Sequence, residues 1–153
     1  MDIEARIGEL GYELPEVSTP AHPYRPVVVF DRVAYISGQV PKVDGRNMMA
    51  GRVPQEISVE EAQRCAVQAT LQALAYLKQE IGDLDRVQRF LKVTGYVYCD
   101  AGFDRQPQVI NACSHLLQEI FGEAGQHARA AVGMAALPGR TPVEIEFVVG
   151  LKD

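Results

Sequence analysis

Tryptophan is absent from these 153 residues, and histidine and cysteine occur three times each. Each scarcity excludes something. Cys65, Cys99 and Cys113 are odd in number and widely spaced, so they make no disulfide framework and suit a reducing compartment. His22, His115 and His127 lack the paired spacing of metal ligands, so no metal site is expected. Neither a G-x-S-x-G elbow, nor a P-loop, nor a dinucleotide fingerprint occurs, and no cofactor is expected. No apolar run approaches the roughly 20 residues of a membrane helix. Met1-Asp2-Ile3-Glu4-Ala5-Arg6 carries no apolar signal core. The expectation is a cytoplasmic protein without a membrane partner. Basic residues are the minority, 15 against 20 acidic, for a net charge of −5. A general nucleic-acid binder would show the reverse.

What remains is an ordinary globular composition, 47% hydrophobic and 23% charged, in a length that suits one domain over 1–153. Residues 2–10 predict a short amphipathic helix, with Ile3, Ile7 and Leu10 on one side and Gly11 after it. Pro15, Pro20, Pro23 and Pro26 make 14–26 an extended, irregular approach. Val27–Phe30 and Val33–Ile36 read as a hairpin around Asp31-Arg32, followed by Ser37-Gly38-Gln39-Val40-Pro41. Residues 46–57 read as a short strand and loop. Ser58-Val59-Glu60-Glu61 is a capping box. Apolar residues at 59, 62, 66, 69, 73 and 77 predict a long helix closed by Gly82. Val87 to Cys99 reads as a long strand, with Leu91, Val93, Gly95 and Val97 on one face and Phe90, Lys92, Thr94, Tyr96 and Tyr98 on the other. Pro107 suits the first turn of a second long helix with the stripe Ile110, Cys113, Leu117, Ile120 and Phe121. Asn111 lies off that stripe, and Gly122 closes the helix.

The C-terminal stretch His127 to Gly150 reads as two strands joined by a Pro138-Gly139 turn. Alternation sets Val132 and Met134 against Arg129, Ala131 and Gly133, and Val143, Ile145, Phe147 and Val149 against Glu144 and Glu146. The expectation is a hairpin with one apolar face toward the helices and one face that carries Arg129, Glu144 and Glu146 together. His127 shares the face of Arg129 and reads as structural. The element order, with two long helices packed on one face of a mixed β-sheet, gives an α+β fold. Small and apolar residues on the other face point to an oligomer.

Arg129 with Glu144 has two readings. One is a salt bridge across the hairpin. The other is a site in which a guanidinium grips a carboxylate bidentately and a carboxylate activates water as general base. That pair suits a small acid derived from an amino acid, with a C=N carbon open to water.

Pro23-Tyr24 before the first strand, Ser37-Gly38-Gln39-Val40-Pro41 after the hairpin, Asn111, Arg129, Leu137-Pro138 and Val143-Glu144-Ile145-Glu146 stand in a recognisable order. From about Pro23 to Val149 the chain resembles the Rid family, the YjgF-like reactive intermediate deaminases once labelled L-PSP endoribonucleases. It looks like a divergent branch, with an N-terminal extension over 1–22 and a longer 42–57 segment. The resemblance implies a chorismate-mutase-like (YjgF-like) fold and a homotrimer with a site in each cleft between subunits. By the same resemblance Arg129 anchors a substrate carboxylate and Glu144 orients water, while Tyr24, Ser37, Gly38, Asn111 and Ala131 line the cleft. Ala131 stands where many members carry Cys. The implied activity is hydrolytic deamination of small enamines or imines such as 2-iminobutanoate and 2-iminopropanoate, a form of metabolite damage control. The alternatives are a non-catalytic binding protein for small carboxylic (2-oxo) acids and a pathway-specific imine or carbamate hydrolase. Endoribonuclease activity has the least support.

Overall fold

A computed structural model describes all of residues 1–153. Helix α1 (Ile3–Glu9) is capped by Asp2, whose side chain accepts from the Ala5 N–H, and it buries Ile3 and Ile7. The proline-rich approach carries no regular element. Strands β1 (Val27–Phe30) and β2 (Val33–Gln39) form the expected hairpin, with β2 running three residues further than its apolar alternation indicates. A two-residue pair, β3 (Lys42–Val43) and β4 (Arg46–Asn47), occupies part of the 42–57 segment. Helix α2 (Val59–Ile81) begins at the capping box: Ser58 Oγ accepts from the Glu61 N–H and the Glu61 carboxylate accepts from the Ser58 N–H. It stops at Gly82, which holds φ +87°. The six positions of its apolar stripe are all buried.

Strand β5 (Val87–Tyr98), helix α3 (Gln106–Phe121), strand β6 (Ala128–Met134) and strand β7 (Val143–Leu151) complete the chain. The main sheet has the order β1-β2-β7-β5-β6, mixed because β6 runs parallel to β5 while its other pairings are antiparallel. Helices α2 and α3 pack together on one face. Between helices and sheet lies a core of 35 buried residues.

Three expectations fail in this fold. The C-terminal strands are not a hairpin: β5 lies between β6 and β7 and pairs with both. A strand followed by a helix returns most readily as a parallel neighbour, so β5-α3-β6 forms a crossover unit. The segment 135–142 then steps past β5. It is held on the 42–57 segment, where the Gly51 N–H donates to the Arg140 carbonyl and Arg140 Nη2 donates to both Glu56 oxygens at 2.9 and 2.8 Å. The second failure is the facing of Phe90 and Leu91. Pairing slips between Phe90↔Val149 and Lys92↔Val148, so one extra residue is accommodated in β5. Phe90 turns into the core, where its ring centroid lies 5.0 Å from that of Phe121 and 6.2 Å from that of Phe147, and Leu91 turns outward.

The face away from the helices stays open in one chain. Phe30 is 70% exposed and Tyr35 51%, and Val28, Val132 and Met134 are also exposed. Val132 and Met134 therefore lie on the side opposite to that expected from alternation.

Candidate functional site

Register decides where Arg129 points. In the parallel pair, Arg129 stands beside Val93, Ala131 beside Gly95 and Gly133 beside Val97. Val93, Gly95 and Val97 are buried toward the helices, so Arg129 lies on the helix side of the sheet, at its outer edge. Helix α3 comes close because Gly95 has no side chain; a Cβ there would run into Ile110. Asn111 and Ser114, three residues apart, share a face of α3 and meet the arginine. Arg129 Nη1 donates to Asn111 Oδ1 at 2.9 Å and to Ser114 Oγ at 3.1 Å. Nη1 carries two hydrogens, and both are used. The edge formed by Nε and Nη2 keeps no protein partner, and no carboxylate pairs with the guanidinium.

The polar chain continues behind Ser114. Its hydroxyl lies 2.9 Å from His127 Nε2, and His127 Nδ1 lies 2.7 Å from the Gly125 carbonyl. Burial pulls the His127 pKa below its ordinary value, the hydrogen bond to Gly125 opposes this, and the charge of Arg129 adds to the depression.

Glu144 and Glu146 lie on the other side of the sheet. Glu144 stands beside Tyr96 and Glu146 beside Thr94, while Val143, Ile145 and Phe147 enter the core. The Tyr96 hydroxyl donates to Glu146 Oε1 at 2.9 Å. Burial raises the Glu144 pKa, and the Glu146 charge raises it further. Gly38 lies directly against this carboxylate, since a Cβ there would collide with Glu144 Oε1. Ser37 Oγ donates to the Pro26 carbonyl at 3.2 Å, and Gln39 Nε2 donates to the Ser37 carbonyl at 3.1 Å. Tyr24 sits half exposed in the approach to β1, with no side-chain hydrogen bond to any of the others.

The candidates thus fall into two half-sites on one chain. Arg129, Asn111 and Ala131 form one at the α3–β6 edge. Glu144, Gly38 and Ser37 form the other on the open face. The expectation that Arg129 and Glu144 share a face is corrected: the extra strand between β6 and β7 removes the hairpin, and the registers set the two side chains on opposite faces. No salt bridge joins them. Nor does any group of three or more His, Cys, Asp or Glu cluster as metal ligands. Burial pushes the Cys65 thiol up to about 11 and the Cys113 thiol to about 12, so neither is a nucleophile near neutral pH.

Residues 4–144 match the model of the YjgF/chorismate mutase-like, putative endoribonuclease family. The chain belongs to this family. A Trypanosoma cruzi protein named TCP17 is 36% identical over 152 residues, covering 99% of this chain and 95% of that protein. Among solved structures, an Agrobacterium tumefaciens protein of unknown function is 38% identical with a TM-score of 0.90, over 98% of this chain and 92% of that one. A Shewanella oneidensis protein described as a putative endoribonuclease is 30% identical with a TM-score of 0.94, over 99% and 100% of the two chains.

Within this YjgF-like chain, sequence reasoning gave Ser114 and His127 no part in the site. The signal was present in the spacing. Asn111 and Ser114 are the polar pair that a helix places on one side, and His127 and Arg129 are the pair that a strand places on one face.

Proposed function

We propose that the protein is a homotrimeric hydrolase of small imines and enamines derived from amino acids, which releases a 2-oxo acid and ammonia. The observation that carries this reading is the guanidinium of Arg129, fixed through Nη1 and left open along its Nε–Nη2 edge on an outer strand. Such an edge takes a carboxylate side-on through two parallel charge-assisted hydrogen bonds. A lysine in its place would supply charge without the flat fork.

Glu144 of the same subunit faces away, so the water-activating carboxylate must come from a second copy. The open sheet face, with Phe30, Tyr35, Val132 and Met134 exposed, supplies the surface that such a copy would cover. A cleft between neighbours then unites the Arg129 half-site of one subunit with the Glu144 half-site of another. Tyr24, Ser37 and Gly38 enter with Glu144, and Asn111 and Ala131 with Arg129.

The chemistry asks little more. An imine R–C(=NH)–COO⁻ adds water at the C=N carbon to give a carbinolamine. Glu144 passes the first proton of the attacking water to the imine nitrogen as the carbinolamine forms, then carries the carbinolamine hydroxyl proton to the amine as the C–N bond breaks, leaving R–CO–COO⁻ and NH₃. A carboxyl with a raised pKa is a stronger base once ionised, which favours this role over a passive one. Holding imine and water in contact supplies the remaining advantage.

The test is hydrolysis of 2-iminopropanoate and 2-iminobutanoate, generated in situ, by the wild type and by Arg129→Ala. The proposal requires acceleration by the wild type and a loss of about 10²- to 10⁴-fold in kcat/KM for the variant, the cost of two charge-assisted hydrogen bonds. Tight 2-oxo acid binding without turnover would instead make the protein a carboxylic acid binder. RNA cleavage by highly purified protein would revive the nuclease reading.

A further inference from the structure

The polar chain behind Arg129 has two ends of fixed character. A guanidinium only donates hydrogen bonds, and a backbone carbonyl only accepts them. Between them lie two groups that do both, Ser114 and His127. The Gly125 carbonyl, 2.7 Å from His127 Nδ1, requires the proton on Nδ1. Nε2 is then an acceptor, so the Ser114 hydroxyl 2.9 Å away must donate to it. With its one hydrogen committed to His127, Ser114 Oγ turns its lone pairs to Arg129 Nη1 at 3.1 Å. The direction of every bond follows: Arg129 to Ser114, Ser114 to His127, His127 to Gly125. Burial and the nearby Arg129 charge both disfavour an imidazolium, which would donate from both nitrogens and break the sequence.

A serine in a helix usually returns its hydroxyl hydrogen to the backbone carbonyl of the preceding turn. Ser114 has His127 as acceptor instead. The supports of His127 are themselves built in. Gly125 is the residue whose carbonyl sets the tautomer, and a Cβ there would collide with the Leu117 carbonyl of α3, so the turn that presents this carbonyl packs directly on the helix.

We propose that Ser114 and His127 are positioning residues for Arg129: acting as a directed hydrogen-bond chain, they hold Nη1 with Asn111 so that the Nε–Nη2 edge faces the ligand carboxylate. This rests on the reading of Arg129 as the carboxylate anchor. Neither residue touches the ligand. Loss of the chain frees the guanidinium to rotate and lowers affinity for planar carboxylates, while the fold stays intact because Ser114 is small.

The experiment uses the full-length protein and 2-oxobutanoate as probe, with binding measured by calorimetry and the arginine Nε–H signals read by ¹⁵N NMR. The variants are Ser114→Ala, His127→Phe, His127→Gln and Arg129→Ala, each checked by thermal melting. His127→Phe keeps the ring shape and loses both nitrogens. His127→Gln keeps an acceptor for Ser114 and a donor for Gly125. The expected result is that Ser114→Ala and His127→Phe weaken binding about five- to ten-fold, the scale of one lost hydrogen bond, while His127→Gln recovers most of it. The Arg129 Nε–H signal, assigned by its absence from Arg129→Ala, should be sharp in the wild type and shifted or broadened in Ser114→Ala and His127→Phe. Unchanged binding and an unchanged Arg129 signal in both variants would overturn the positioning role. Equal binding by Arg129→Ala would sink the anchor reading instead. Should the wild type bind no 2-oxobutanoate, the Arg129 signal still decides between an ordered and a free guanidinium.

Discussion

Glu144 is the residue on which the chemistry of the proposed site turns. Its carboxyl is raised by burial first and by Glu146 second. A group that must be ionised to accept a proton loses that ability as pH falls through its pKa, so hydrolysis should decline below a midpoint above the ordinary 4.5. Removing the like charge in Glu146→Gln should move that midpoint of the pH–rate profile down, and the part due to burial should persist. Glu144→Gln should lower kcat by about 10²- to 10⁴-fold, the usual share of a general base, with a smaller change in KM. Unaltered kcat would remove Glu144 from the mechanism. His127 gives the residue-scale prediction for stability. Its folded pKa lies below 6.5, so the unfolded chain binds the proton first as pH falls. Stability is therefore full above about 6.5 and lost as pH drops through the depressed folded value. The charge that opposes protonation is that of Arg129, two residues on in β6, and Arg89 lines the same surface cleft. His127→Phe should flatten this part of the pH–stability curve, measured by urea melts between pH 7 and pH 5.

At the scale of elements, the meeting of α3 with β5 places Asn111 and Ser114 over Arg129. Gly95 permits that approach, since a methyl group there would have to displace Ile110. Gly95→Ala should destabilise by about 1–3 kcal/mol through overpacking and weaken carboxylate binding, because α3 must move away from β6. Phe90→Ala should cost more, about 3–5 kcal/mol, since the ring is 1% exposed and fills the space between Phe121 and Phe147. Chemical denaturation measures both. These elements also show what was legible beforehand. Both long helices could be read from Ser58 and Glu61, Pro107, the apolar stripes and their closing glycines, because those signals are local. The facing of Phe90 was not legible, since a bulge is set by the partner strand and leaves no mark on its own segment. The false hairpin at the C-terminus arose in the same way. Alternation tells which residues share a face within one strand, but not which strand lies next door. The sharing of a face by Arg129 and Glu144 depended on that adjacency and fell with it; the hydrogen bond from Arg129 to Asn111 depends on how α3 lies over β6, which neither segment shows by itself.

For the whole molecule, hydrolysis at the proposed site requires the two half-sites to meet between subunits. Apolar side chains on the open face are the natural seam. Tyr35→Asp, on a half-exposed position of that face, should release monomers in sedimentation and abolish hydrolysis together with assembly, although Tyr35 belongs to neither half-site. Subunit complementation tests the shared cleft most directly. Arg129→Ala and Glu144→Gln chains, each inactive alone, are co-expressed with different tags, and the mixed trimers are purified and assayed with 2-iminobutanoate. Clefts that pair Arg129 of one subunit with Glu144 of another leave one intact cleft in every mixed trimer, and so predict recovery of about a third of wild-type activity. Mixed trimers as inactive as either parent would contradict a site built from two chains.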